Sequence, residues 1–209
     1  MIKLLVADDH VIVRKGIEQI IAEMPDIVVA GEARNGQEVM EKVSKDDYDL
    51  ILLDISMPGR DGLEVLKELK NQRPKLAVLM LSMYPEEQYA IRALRSGAAG
   101  YLTKESAPDE LIAAIRKVSS GGKYISSSLA ERLAHKLGNY SDKPLHEQLS
   151  DREYQIMIML AGGKTLTEIA DELSLSVKTI STYRTRLLAK MRMKSNAGIT
   201  RYVIENKLI

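Results

Sequence analysis

IKLLVA (2–7), IVVAGE (27–32), LILLD (50–54), LAVLML (76–81) and GYLT (100–103) decide how the first part of this chain folds. Each run is too short for a helix and rich in Val, Ile and Leu, the pattern of a strand buried on both faces of a parallel sheet. Between them lie amphipathic stretches of helical length at 11–24, 36–45, 61–71, 85–96 and 107–120. In the last, Leu111, Ile112, Ile115 and Val118 form an apolar stripe, with Asp109, Glu110, Arg116 and Lys117 outside it. Strand and helix alternating in this way predict a doubly wound α/β domain with a five-stranded parallel sheet. Ligand chemistry in such a sheet belongs at the carboxyl ends of the strands.

The pattern stops at Gly121-Gly122, which closes the last of these helices. KYISSSLAERLAHKL (123–137) offers one short helix and GNYSDKPLHEQ (138–148) reads as a polar linker. Beyond it no strand pattern remains, and helices fit at about 151–161, 165–173, 177–191 and 195–205. The expected organisation is a sheet domain over 1–121, a linker with a short helix over 122–148, and an all-α four-helix domain over 149–209. The two ends differ in charge: residues 1–121 carry 16 Lys and Arg against 20 Asp and Glu, while 122–209 carry 14 against 9. Any nucleic-acid contact is therefore expected in the second part. The chain has no cysteine, which excludes a disulfide framework and thiolate metal sites. No apolar run reaches membrane-spanning length and the N-terminus lacks the features of a signal peptide, so a cytoplasmic protein without membrane contact is expected.

Three acids fall where the sheet rule places chemistry. Asp8 and Asp9 end the first strand and Asp54 ends the third, and those strands neighbour one another in a doubly wound sheet. Packed carboxylates repel unless a cation neutralises them, and a hard divalent ion such as Mg²⁺ suits oxygen ligands. Lys104 brings an ammonium to the same edge from the fifth strand, and Ser82 a hydroxyl from the fourth. Singly, each has an ordinary structural explanation as helix cap, turn residue or solvated surface. Together, at four strand ends on one edge, they suggest a site for a phosphoryl group with Asp54 as nucleophile.

DDH at 8–10, D-x-x-M-P-G-x-D-G at 54–62, Ser82 and the Lys104 that follows GYLT resemble the CheY-like receiver domain of response regulators, a flavodoxin-like fold. The resemblance implies that Asp54 is the phosphoacceptor, with Asp9 and Asp54 direct Mg²⁺ ligands and Asp8 a ligand through water. The Ser56 backbone carbonyl would complete the protein's share. Lys104 would pair with the phosphoryl oxygens, Ser82 would bond to them on activation, and Tyr101 would change rotamer with Ser82. For Tyr101, an ordinary half-buried strand aromatic is an equal reading. Glu105 stands where many receivers have proline, which leaves the following loop less constrained.

In the second part, Ser150 and Glu153 have the spacing of a capping box. TLTEIADELSL and SVKTISTYRTRLLAKM are joined by a short turn, with Ile169, Leu173, Val177, Ile180 and Leu187 placed to share a core. This is helix-turn-helix spacing. The second helix offers Lys178, Arg184, Arg186 and Lys190 among Thr179, Ser181, Thr182, Tyr183 and Thr185, a mixture suited to the major groove of double-stranded DNA. Residues 147–209 resemble the LuxR-type output domain of NarL/FixJ response regulators through LS-x-RE, IA-x-x-L, S-x-KT and LLAKM-x-x-KS, and KTISTYRTRLLAKM looks particularly like BvgA- and GacA-like members. Where many relatives have T-V-K-x-H, Ser181 and Tyr183 replace a lysine and a histidine, so the base preference does not carry over. Ser181, Thr182 and Thr185 are the expected base readers, and Lys178, Thr179, Tyr183, Arg186 and Lys190 the backbone contacts.

The resemblance implies a phosphorylation-dependent transcriptional regulator of a two-component system, phosphorylated by a sensor histidine kinase and dimerising on promoter DNA. Contact with RNA polymerase stays open. Ile199, Tyr202 and Val203 on the last helix could supply the pairing surface or belong to the domain core. Two enzyme readings compete poorly. A phosphohydrolase with an aspartyl-phosphate intermediate needs a second acid where Ser56 stands, and a dinucleotide enzyme needs a Gly-rich turn where Asp8-Asp9-His10 stands. Enzymatic chemistry would be confined to Mg²⁺-dependent self-phosphotransfer onto Asp54 and autodephosphorylation. A regulator that works without phosphate would lack a pocket residue, and none is missing.

Overall fold

The computed structural model describes residues 1–127, 129–131 and 144–209, which cluster into two compact units, Met1–Leu133 and Ala134–Ile209. Most of the linker expected at 138–148, and part of the short helix expected within 123–137, lie outside the described residues. Ser127 and residues 129–131 are helical.

In the first unit, β1 (Ile2–Ala7), β2 (Ile27–Ala33), β3 (Leu50–Asp54), β4 (Ala77–Ser82) and β5 (Gly100–Thr103) pair in parallel in the order β2-β1-β3-β4-β5. They alternate with α1 (Val11–Ala22), α2 (Gly36–Lys45), α3 (Gly62–Gln72), α4 (Glu86–Arg95) and α5 (Pro108–Ser119). All five β3 residues are buried, so this strand needs apolar side chains on both faces, and only its last position carries a charge. One core layer joins Leu4, Val6, Leu50, Leu52, Leu79 and Leu81 to Ile17 and Ile21 of α1 and to Leu111, Ile112, Ile115 and Val118 of α5. That apolar stripe on α5 is the one its periodicity predicts. The strand reversal between β1 and β3 opens the sheet's carboxyl edge where Asp8 and Asp54 stand.

β5 is one of the sheet's two outer strands, and its free edge is partly taken up. Tyr124 forms a parallel bridge to Gly100, its amide donating to the Ala99 carbonyl at 2.9 Å. The Tyr124 hydroxyl donates to Glu110 on α5 at 2.8 Å, and Ser126 donates to Glu86 on α4 at 2.5 Å. The start of the segment read as linker is thus tied to the sheet unit.

In the second unit, α6 (Asp151–Ala161), α7 (Leu166–Glu172), α8 (Val177–Lys190) and α9 (Asn196–Glu205) follow a 3-10 turn at Leu145–Gln148. The capping box at Ser150 and Glu153 is formed, and Thr165 with Glu168 repeats it on α7. The 3-10 turn occupies the end of the stretch read as polar linker. His146 is buried there, with Nδ1 3.0 Å from the Tyr202 hydroxyl. Ile199 and Val203 are fully buried, which makes them core residues and removes them from any pairing surface.

Glycine ends α4, α5 and α6: Gly97, Gly121 and Gly163 each adopt positive φ just after the helix. The other three ends in the second unit use side-chain-bearing residues instead. Ser174, Arg192 and Lys207 hold φ of 52, 55 and 51° after α7, α8 and α9. Each is followed by an apolar residue (Leu175, Met193, Leu208) whose amide reaches back to a carbonyl of the last turn at 2.9–3.0 Å. These are Schellman closures, in which the left-handed residue lets orphan carbonyls find donors.

Candidate functional site

The acidic pocket assembles from three strand ends. Asp8 follows β1, Asp54 closes β3, and Lys104 follows β5, with its amide donating to the Ser82 carbonyl at 2.8 Å. The Lys104 ammonium is nearly buried and bridges Asp8 Oδ2 at 2.7 Å and Asp54 Oδ2 at 2.9 Å. Asp54 Oδ1 is buried without a hydrogen-bond partner. Asp9 is part-exposed, its Oδ1 2.8 Å from His10 Nδ1. One ligand atom from each of Asp8, Asp9, His10 and Asp54 can lie within 4.8 Å of the others.

Electrostatics follow from this packing. Burial pushes the Asp54 carboxyl up to about 6; Lys104 opposes the rise and Asp8 adds to it. Burial alone would lower the Lys104 ammonium, but Asp54 and Asp8 outweigh it and leave it raised. A pocket with more carboxylates than cations and an unsatisfied buried oxygen fits a hard divalent cation with oxygen ligands.

The loop after β3 holds Asp54 in place through backbone contact. Gly59 turns it with φ of 79°, and the Asp61 side chain caps α3 by accepting from the Glu64 amide at 2.9 Å. A Cβ on Gly62 would sit 1.9 Å from the Asp54 carbonyl oxygen, so only glycine fits there. Ser56 stands on this loop with its hydroxyl buried and unpartnered.

Ser82 is fully buried, and its Oγ accepts from the Tyr84 amide at 3.2 Å. Tyr101 is fully buried as well, rather than half-buried, and donates to the Tyr84 carbonyl at 2.7 Å. Its phenol is raised, chiefly by burial, while a hydrogen bond with Ser82 pulls the other way. Ser82, Tyr84 and Tyr101 therefore share one hydrogen-bonded loop between β4 and α4.

On α8, Ile180 and Leu187 join Ile169 and Leu173 in the core, whereas Val177 is 44% exposed. As the first residue of the helix it lies on the turn that faces solvent. Lys178, Ser181, Thr182, Thr185 and Arg186 are exposed, and Thr179 and Tyr183 are half-buried. The Thr182 and Thr185 hydroxyls donate to the Lys178 and Ser181 carbonyls, both at 3.0 Å, which leaves oxygen lone pairs and methyl groups facing outward. The Thr179 and Ser176 hydroxyls lie 2.8 Å apart at the N-cap. Arg184 is half-buried instead of exposed, with Nε donating to Asn196 at 2.7 Å. Lys190 pairs with the buried Glu153 of the capping box at 2.6 Å. Its ammonium is thus engaged before any phosphate arrives, a contact that helical spacing alone does not reveal.

The receiver-domain family of response regulators matches residues 4–116, and the luxR family of bacterial regulatory proteins matches residues 147–203. The chain is a two-component response regulator. It is 35% identical to the response regulator UvrY of Escherichia coli K12 over all of this chain and 96% of that protein. It is 36% identical to the response regulator GacA of Pseudomonas protegens, over 100% and 98% of the two chains. RcsB of Salmonella enterica serovar Typhimurium, solved on the rprA promoter with the phosphomimetic BeF₃⁻, superposes with a TM-score of 0.64 at 27% identity, covering 98% and 99% of the two chains. This regulator combines a receiver fold with a LuxR-type DNA-binding domain and belongs to the phosphorylation-dependent transcription regulators, not to the conventional enzymes.

Proposed function

We propose that Asp54 accepts a phosphoryl group from a phosphohistidine of a sensor kinase, and that this drives the LuxR-type unit onto promoter DNA as a homodimer. The observation that carries the reading is Asp54 itself, buried at a sheet edge with Oδ2 on Lys104 and Oδ1 unpartnered. In the transfer a carboxylate oxygen of Asp54 attacks phosphorus, and the bond from phosphorus to the imidazole nitrogen breaks with its electron pair on the leaving ring. Hydrolysis of the acyl phosphate by water returns the carboxylate and releases inorganic phosphate, so turnover is limited to self-phosphotransfer and this autodephosphorylation.

Asp8, Asp9, Asp54 and the Ser56 carbonyl would hold Mg²⁺, which when bound would neutralise the carboxylates and the incoming phosphoryl oxygens. Lys104, already between Asp8 and Asp54, would pair its ammonium with the phosphoryl oxygens. Ser82 would exchange the Tyr84 amide for a phosphoryl oxygen, and Tyr101 would adjust with the loop that both side chains hold. Phosphorylation adds about −1.5 to −2 charges here, and differential contacts from these groups would tilt a two-state equilibrium. Exposed Val11, Ile12 and Met83 directly follow the pocket residues in sequence and would meet the kinase.

On DNA, Ser181, Thr182 and Thr185 would face base edges, while Lys178, Thr179, Tyr183 and Arg186 meet phosphates. Lys190 could join them only by leaving Glu153. No helix among the described residues is long and apolar enough to cross a membrane. Footprinting with and without acetyl phosphate, on wild type and Asp54→Ala, tests the reading. Phosphodonor should strengthen protection with wild type only; equal protection in every case refutes the switch.

A further inference from the structure

Arg14 is a buried cation that neither the pocket nor the DNA-binding unit uses. It lies on α1, 3% exposed, in the first turns after the acidic loop. Its Nη1 donates to the Asp8 backbone carbonyl at 2.7 Å, and its Nε donates to Glu32 Oε2 at 2.7 Å. Glu32 stands near the end of β2, and its other oxygen meets Lys15 at 3.2 Å. Arg14, first, and Lys15 hold the Glu32 carboxyl below its usual range, so the acid stays ionised as an anchor. The Asp8 amide, for its part, donates to the Ala33 carbonyl of β2 at 3.0 Å. Asp8 is therefore gripped from both sides, its amide by β2 and its carbonyl by a guanidinium tethered to β2.

A buried guanidinium is costly, and an apolar side chain of similar volume would serve helix packing at least as well. What an apolar residue cannot do is fix a peptide. Asp8 and Asp9 repel each other and Asp54, and a free β1–α1 loop would relieve that repulsion by turning its acids toward water. Arg14 opposes this through the carbonyl between Asp8 and Asp9, and its guanidinium is bonded to the peptide rather than to either carboxylate. The planar fork holds its two acceptors at fixed angles from one rigid plane, whereas a lysine offers a point charge on a flexible stem.

We infer that Arg14, anchored on Glu32, is a positioning residue for the divalent-ion site, setting the peptide that makes the Asp8 and Asp9 carboxylates converge on Asp54. The inference rests on the reading of that pocket as an Mg²⁺ site. Titration calorimetry with MgCl₂ alone on the full chain, without phosphodonor, tests it beside urea melts in chelator. Arg14→Met and Glu32→Ala should raise the Mg²⁺ Kd by about 10- to 100-fold, the range for residues that orient metal ligands. Arg14→Lys should be nearly as weak as Arg14→Met, whereas Glu32→Gln, whose amide oxygen still accepts from Nε, should recover most of the affinity. A Kd within twofold of wild type in both Arg14→Met and Glu32→Ala, with only the urea midpoint lowered, would make the pair merely structural and overturn the inference. Should Arg14→Met fail to fold, part-exposed Glu32 carries the test through its Ala and Gln variants. Wild type that shows no Mg²⁺ binding removable by Asp9→Asn would sink the pocket reading and this inference with it. Wild-type binding matched by every Arg14 and Glu32 variant sinks the inference alone.

Discussion

Removing the charge of Asp54 should stabilise the metal-free protein even as it abolishes phosphorylation. Asp54 is buried, and its carboxyl is pushed up to about 6 from 3.8. The folded state therefore binds more protons than the unfolded state between those values, and stability falls as pH rises through that window. By pH 7 the shift amounts to about 3 kcal/mol, at roughly 1.4 kcal/mol per pKa unit. Asp54→Asn keeps the shape and deletes this penalty. The attraction of Lys104 for Asp54 is already contained in that shift, and Lys104 keeps Asp8 at 2.7 Å. The gain is about 3 kcal/mol, or roughly 9–12 °C in Tm for a unit of this size. Differential scanning calorimetry in chelator should show the first unit of Asp54→Asn melting above wild type at pH 7, with the gap shrinking toward pH 4. Saturating Mg²⁺ should raise wild type far more than the variant. A variant that melts below wild type in chelator at pH 7, or equal Mg²⁺ stabilisation of both proteins, refutes the reasoning.

Other outcomes follow from the same contacts. Gly62→Ala drives a methyl group into the Asp54 carbonyl and should cost about 3 kcal/mol or more, read by urea melts, with loss of labelling by acetyl phosphate. Lys178→Ala and Arg186→Ala should each weaken DNA binding on all sequences and reduce the salt slope by about 1, measured by fluorescence anisotropy across salt concentrations. Lys190→Ala should behave differently, lowering the stability of the second unit by about 1 kcal/mol because the buried Glu153 keeps the Ser150 amide but loses its cation. Replacing Arg192 or Lys207 with glycine should raise stability by about 0.5–1 kcal/mol, since each holds a left-handed conformation that costs a side-chain-bearing residue more than glycine.

The fold was legible because apolar runs and helical stripes are local signals. LILLD can bury both faces only as a central strand, and the α5 stripe of Leu111, Ile112, Ile115 and Val118 meets the sheet as its period requires. The pocket was legible because a parallel sheet fixes which ends of strands converge, so acids at residues 8, 9 and 54 and the lysine at 104 had to meet. What escaped depends on partners distant in sequence. Arg14 reads as one more cation on an amphipathic helix until β2 brings Glu32 beside it. Lys190 and Arg184 look like a basic helix face, yet Glu153 and Asn196 claim both. His146 has a polar name and a buried place, set by Tyr202 from 56 residues away. The Schellman ends were hidden too, because Ser174, Arg192 and Lys207 carry none of glycine's signature.

The bridge between Tyr124 and Gly100 decides where the receiver can be cut from the rest of the chain. A strand with an open side invites a second copy to add to it, and natural sheets cover such sides. Here the cover is supplied by residues beyond the glycine pair that closes α5, pinned by the Tyr124 and Ser126 side chains to α5 and α4. A fragment ending at Gly121 keeps β1 to β5 and α1 to α5 but strips that cover. It should associate through β5 at concentrations where a fragment running to Glu131 stays monomeric.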